Sequence, residues 1–148
     1  MYKNNSNHSS RLFLMELIFA ILFFSLGSAV CVQAFAKAHL ISMEARDLAF
    51  ASSTVSSAAS VVRFSGGEPE PFRTYFPEAV SGEDGALQVW YGEDFNPCGE
   101  DEAAYVLRVE TEKDGVAENA HICMYNDDGG LIYELSLRWP AAVWEGGI

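Results

Sequence analysis

Three histidines, three cysteines and 21 acidic side chains are the groups in this chain of 148 residues that could ligate a metal, attack a substrate or move a proton. His8 lies near the N-terminus, His39 in a helical stretch and His121 on the outer side of a strand pattern; we read no Cys, Asp or Glu at metal-ligand spacing around any of them. The acids gather in Glu83-Asp84, Glu100-Asp101-Glu102 and Asn126-Asp127-Asp128-Gly129. None spells the alternating Asp loop with a distant Glu that holds calcium, so solvated turns account for them. No G-x-S-x-G, H-E-x-x-H or phosphate loop occurs, and the serines between 52 and 60 have no base at hand, without which a hydroxyl is not a nucleophile. These patterns predict no catalytic residue, no metal and no cofactor, and the chain is not read as an enzyme.

The cysteines offer a different chemistry. Cys31 falls in an apolar run and reads as a small apolar residue. Cys98, in the turn-like Asn96-Pro97-Cys98-Gly99, and Cys123 both lie in the acidic C-terminal portion. In an oxidising space a bridge between them would close a loop and contribute roughly 3 kcal/mol. We expect that bridge, with two free thiols in a reducing setting as the alternative.

Charge narrows the partners. Nine basic residues face 21 acidic ones, a formal charge of −12, and Glu16 is the one acid before Lys37. Binding phosphates needs a basic face, and the stretch from Lys37 onward holds only seven Lys and Arg, so nucleic acid is not expected as a partner. The length suits about one domain.

Much of the hydrophobicity sits in one stretch, Leu12 to Ala36, where Glu16 is the only formal charge. As a helix it would reach roughly 37 Å at about 1.5 Å per residue, enough to cross a bilayer. The flank before it has Lys3 and Arg11 and no acid, while the flank after it turns acidic. That bias predicts a single-pass protein of the cell membrane, with a cytoplasmic N-terminus and an acidic extracytoplasmic domain. Ala34-Phe35-Ala36 also has the form of a signal-peptidase site, so a secreted domain beginning at Lys37 is an alternative.

An acid inside such a run costs at least about 2.5 kcal/mol on insertion scales and normally has a partner or a job. Leu12-Phe13-Leu14-Met15-Glu16-Leu17-Ile18, following a short basic leader and preceding some twenty apolar positions, resembles the N-terminus of type IV pilins and pseudopilins. In that family the leader is cut off by a prepilin peptidase and the fifth residue of the mature chain is Glu. The resemblance puts the processing site between Arg11 and Leu12, with Arg11 standing where members carry Gly. It implies that Glu16 neutralises a new α-amine, its own or a neighbour's, as the subunit leaves the bilayer for a filament. The implied partners are the membrane, other pilin-like subunits meeting through the N-terminal helix, and a prepilin peptidase. Small residues at Ser25, Gly27, Ala29 and Cys31 are where helices would approach closely. The implied function is that of a minor pilin or pseudopilin in a type IV pilus, type II secretion or competence-type filament. The alternative is a membrane-anchored, or cleaved and secreted, binding or sensor module.

The elements that must position these residues follow from periodicity. Between Lys37 and Phe64 there is no Pro or Gly, and Ile41, Leu48, Val55 and Val62 recur every seven residues, with Ala51 and Ala58 three after Leu48 and Val55. One long helix is expected, stopped by Ser65-Gly66-Gly67 and the prolines at 69 and 71. Four alternating segments then read as strands, 86–91, 104–111, 120–125 and 131–139, joined by turns at Lys113-Asp114-Gly115 and Asn126 to Gly130. We therefore divide the chain into a leader 1–11, a membrane or filament-core helix 12–36 and an external α+β domain 37–148. The last comprises helix 37–64, a loop 65–85 anchored by Phe72, Tyr75 and Phe76, a β-meander 86–139 and a tail 140–148. The fold class is α+β, with a long N-terminal helix packed on a four-stranded antiparallel sheet, because a half-apolar meander needs a cover and the helix carries the nearest apolar stripe.

Overall fold

A computed structural model of the chain describes residues 6–141; the leader's Lys3 and the tail from 142 onward lie outside the described residues. Helix α1 runs from Ser6 to Ser65, so the Arg11–Leu12 position falls within a helix. The chain divides into two units, 1–44 and 45–148, taken separately below.

In the first unit the described residues are helix α1 alone. Its apolar residues point in every direction: Leu12, Phe13, Leu14, Met15, Leu17, Ile18 and Phe19 are all exposed, and none of the most apolar window is buried. A helix that is apolar all round belongs in a core or a bilayer. This one is long and apolar enough to cross a membrane.

In the second unit the last part of α1 covers an antiparallel sheet. Ala51, Val55, Ala58, Ala59 and Val62 are buried, spaced four, seven, eight and eleven residues from Ala51, which is one helical face. Burying a valine contributes roughly 1.5 to 3 kcal/mol. Ile41 and Leu48, members of the same seven-residue repeat, are exposed. The alanines matter for distance, since a small side chain lets the helix lie close against the strands. The helix ends as a Schellman motif: Gly66 and Gly67 have φ of 62° and 80°, and the Gly67 N–H donates to the Val62 carbonyl at 3.0 Å.

The expected loop 65–85 holds two short elements of its own. Helix α2, Pro69–Tyr75, has Pro in its first turn, where a missing N–H costs nothing. It buries Phe72, which stacks on Phe76 with centroids 4.7 Å apart, while Tyr75 is exposed. Strand β1, Val80–Ser81, then pairs with β2, Leu87–Tyr91. The sheet continues with β3 (Tyr105–Asp114), β4 (Ala117–Asn126) and β5 (Leu131–Pro140) in the order β1-β2-β3-β4-β5. It therefore has five strands instead of four, and β5 takes in Pro140 from the expected tail.

The turns behave as their residues demand. Asp114 pairs with Ala117 across a two-residue turn in which Gly115 has φ of 51°. Asn126 to Gly130 closes β4 on β5, with Gly129 at φ of 78° and the Asn126 N–H donating to the Gly130 carbonyl at 2.9 Å. Leu87, Val89, Tyr91, Leu107, Val109, Ala120, Ile122 and Met124 face the helix as one core. The opposite face of the sheet is open, and it carries the polar chemistry.

Candidate functional site

Glu16 is exposed on the apolar helix between Met15 and Leu17, themselves exposed. Ser25, Gly27 and Ala29 are exposed as well, and a Cβ added at Gly27 would meet nothing within 4 Å. At 3.6 residues per turn, Ser25 and Ala29 share one side of α1, while Gly27 and Cys31 lie about 200° around it. The small residues thus form two opposed faces instead of one.

On the sheet's outer face, the register stacks chemistry in rows. Gln88, Arg108, Cys123 and Glu134 form one row across β2 to β5, and Glu110, His121 and Ser136 form the next across β3 to β5. Arg108 is ion-paired with Asp84 and, at 2.6 Å, with Glu110. Those bonds raise the guanidinium's affinity for its proton, the Glu110 bond most. The Asp84 carboxyl sits below the usual carboxylate range because it accepts the Ala86 N–H and faces Arg108.

His121 is held at both ring nitrogens. Its Nε2 lies 3.1 Å from the Ser136 hydroxyl oxygen and its Nδ1 3.7 Å from the Cys123 sulfur. Cys123 is only 8% exposed although it points away from the core, because Arg108, Glu110, His121, Tyr125 and Glu134 wall the recess of about 220 Å3 around it. Burial pushes the Cys123 thiol up, against a hydrogen bond from Tyr125 that lowers it. The same hydrogen bond, followed by burial, raises the Tyr125 phenol. Donor atoms of His121, Cys123 and Glu134 all lie within 4.8 Å of one another.

Two expectations change here. The histidines were expected to have no metal-ligand neighbour, yet His121 has Cys123 beside it and Glu134 across the hairpin. Residues i and i+2 of a strand share a face, so His121-Ile122-Cys123 was the visible signal; Glu134 required the β4–β5 register. The expected disulfide is not formed, and all three cysteines are free thiols. Cys98 does not cross the outer face. Its N–H donates to the Trp90 carbonyl at 3.0 Å and the adjacent Pro97 bridges Tyr91, which places it on the β2 edge, the far side from β3. Three strand spacings of about 4.8 Å separate that edge from β4, roughly 14 Å, against a Cα limit of about 7 Å for a bridge.

The cause lies in the 92–104 connection. Asp94 accepts the Asn96 N–H at 3.1 Å and folds the loop back. Phe95, at φ of 64°, stacks on Phe50 with centroids 4.2 Å apart and lies under the Arg46 guanidinium at 4.5 Å. Burial raises the Cys98 thiol, and Glu102 and Asp94 add to that.

No family model matches the chain, and no curated protein or solved structure matches it.

Proposed function

We propose that this chain is a minor-pilin-like or pseudopilin-like structural subunit, held by its N-terminal helix in the membrane and then among the helices of a type IV pilus, type II secretion or competence-type filament. The observation that carries the reading is Glu16, the single carboxylate, at the fifth position, of the apolar stretch Leu12–Ala36, which is exposed on all sides of the helix. Such a surface needs lipid or other helices around it, and the carboxylate needs a countercharge in either setting. A neighbouring subunit's α-amine supplies one. The two opposed small-residue faces, Ser25 with Ala29 and Gly27 with Cys31, suit a helix with neighbours on more than one side.

Glu16→Gln tests this directly. Insertion should be unchanged or improved, because a neutral amide is cheaper in lipid than a carboxylate, while incorporation into any filament or complex should fall. Equal incorporation of variant and wild type would remove the reading's main support. The mass of the protein from its own cells adds a second readout. Processing at Arg11–Leu12 gives a chain beginning at Leu12, a permanent anchor one beginning at Met1, and signal cleavage one beginning at Lys37. The last two products would favour the second reading, an anchored or secreted binding module, for which the ionisable recess around Cys123 is the supporting observation.

A further inference from the structure

We propose that His121, Cys123 and Glu134 form a binding site for one zinc ion on the outer face of β4 and β5, with the fourth coordination position open to solvent. The three side chains come from the regular parts of two paired strands, and their donor atoms lie within 4.8 Å of one another. In a tetrahedral zinc site, with Zn–S of about 2.3 Å and Zn–N of about 2.0 Å, sulfur and nitrogen stand roughly 3.5 Å apart. The Cys123 sulfur and His121 Nδ1 are 3.7 Å apart. The carboxylate of Glu134, an exposed side chain on a strand, closes the remaining distance by rotation about its own bonds.

The donor set selects the ion. One nitrogen, one sulfur and one oxygen suit borderline zinc, whereas calcium and magnesium take oxygen throughout. Charge suits a divalent cation. On binding, the Cys123 thiol releases its proton to solvent and ligates as thiolate, Glu134 ligates as carboxylate, and His121 ligates as the neutral imidazole. Two negative ligands and one divalent cation sum to zero in a recess where Cys123 is buried and His121 and Glu134 stand at the solvent-exposed rim.

His121 is already oriented for this. Its Nε2 faces the Ser136 hydroxyl at 3.1 Å, and an Nε2–H donating there fixes the tautomer that leaves Nδ1 free for metal. Arg108, the cation that lines the recess, is engaged by Asp84 and Glu110. Three protein ligands with an open fourth position is the donor count of a site that holds a water or a donor from a second molecule. The site lies on β4 and β5 and is independent of how the chain is anchored.

The test uses the full chain in detergent, stripped of metal, titrated with Zn2+ by calorimetry and with Co2+ by absorbance. One ion per chain and a thiolate-to-cobalt charge-transfer band are expected. Cys123→Ser should abolish that band, and His121→Ala should weaken binding about tenfold or more. Because Cys123 is buried and its replacement could disturb the sheet, Glu134→Gln, at an exposed position, is the fold-preserving variant; it should also weaken Zn2+ binding about tenfold with an unchanged circular dichroism spectrum. Cys31→Ser with Cys98→Ser should bind as wild type. Absence of heat and of the cobalt band in the wild type would overturn the proposal. So would binding that survives both Cys123→Ser and Glu134→Gln, or binding lost in the Cys31→Ser, Cys98→Ser variant.

Discussion

Tyr105 on β3 donates its phenolic hydrogen to a carboxylate oxygen of Asp47 on α1 at 2.9 Å, one turn ahead of Ala51, where the buried face of the helix begins. The bond therefore sits at the point where α1 meets the sheet. Hydrogen bonds to charged groups contribute about 1.5 to 3 kcal/mol, but both partners here are half-buried and water can replace either one. Tyr105→Phe should accordingly cost about 1 kcal/mol in denaturant unfolding, at the low end of hydrogen-bond contributions. Asp47→Asn, which keeps an acceptor, should cost less. An unchanged midpoint in Tyr105→Phe would show that aromatic packing with Phe50 and Phe95 holds this corner without the hydroxyl.

The same tyrosine predicts an alkaline limit. Burial, then the bond to Asp47 and its charge, push the Tyr105 phenol up to about 12. Burial and the Glu78 charge push Tyr91 up to about 12 as well. An unfolded tyrosine ionises near pH 10. Below that pH both states keep their protons and these groups give stability no slope. Between about pH 10 and 12 the unfolded chain loses protons that the folded chain retains, so it binds fewer protons and stability falls as pH rises. Phenolate absorbance and circular dichroism followed together through this window should show two tyrosines ionising with the loss of fold. Tyr105→Phe should make the decline shallower. Two early, independent phenolate titrations with the fold intact would contradict the buried environment of both rings.

Sequence periodicity located the helix and the four longer strands because each holds one face against the same core, and that face leaves a repeat. It misjudged how far the helical stripe extends: Ile41 and Leu48 keep the seven-residue spacing but are exposed, and the buried face starts at Ala51. Strand β1 was invisible because two residues have no period, and α2 because a seven-residue helix opening on Pro, within a stretch rich in Pro and Gly, resembles a loop. The recess around Cys123 was half legible. His121 and Cys123 alternate on one strand, but Glu134 joins them only through the pairing Cys123 with Glu134, which depends on the Asn126 to Gly130 turn. A slip of one residue would send Glu134 to the core face.

The cysteines give the last prediction, in which sequence and structure imply different numbers. A bridge between Cys98 and Cys123 would leave one thiol per chain, and Cys98→Ser would then cost roughly 2 to 4 kcal/mol. The structure holds all three as thiols, with Cys98 on the β2 edge and Cys123 on β4. Metal-free protein purified in air and unfolded without reductant should therefore yield three titratable thiols. In the native state Cys98 should react before Cys123, because the Cys123 sulfur lies beneath its neighbours at 8% exposure while Cys98 is partly open. Cys98→Ser should change stability by no more than about 0.5 kcal/mol, as a substitution outside the core does. Added Zn2+ should slow modification of Cys123 and leave Cys98 unaffected, since a metal-bound thiolate is shielded from the reagent. A single titratable thiol, or a loss of several kcal/mol in Cys98→Ser, would mean that the 92–104 loop can leave the β2 edge and reach across the outer face.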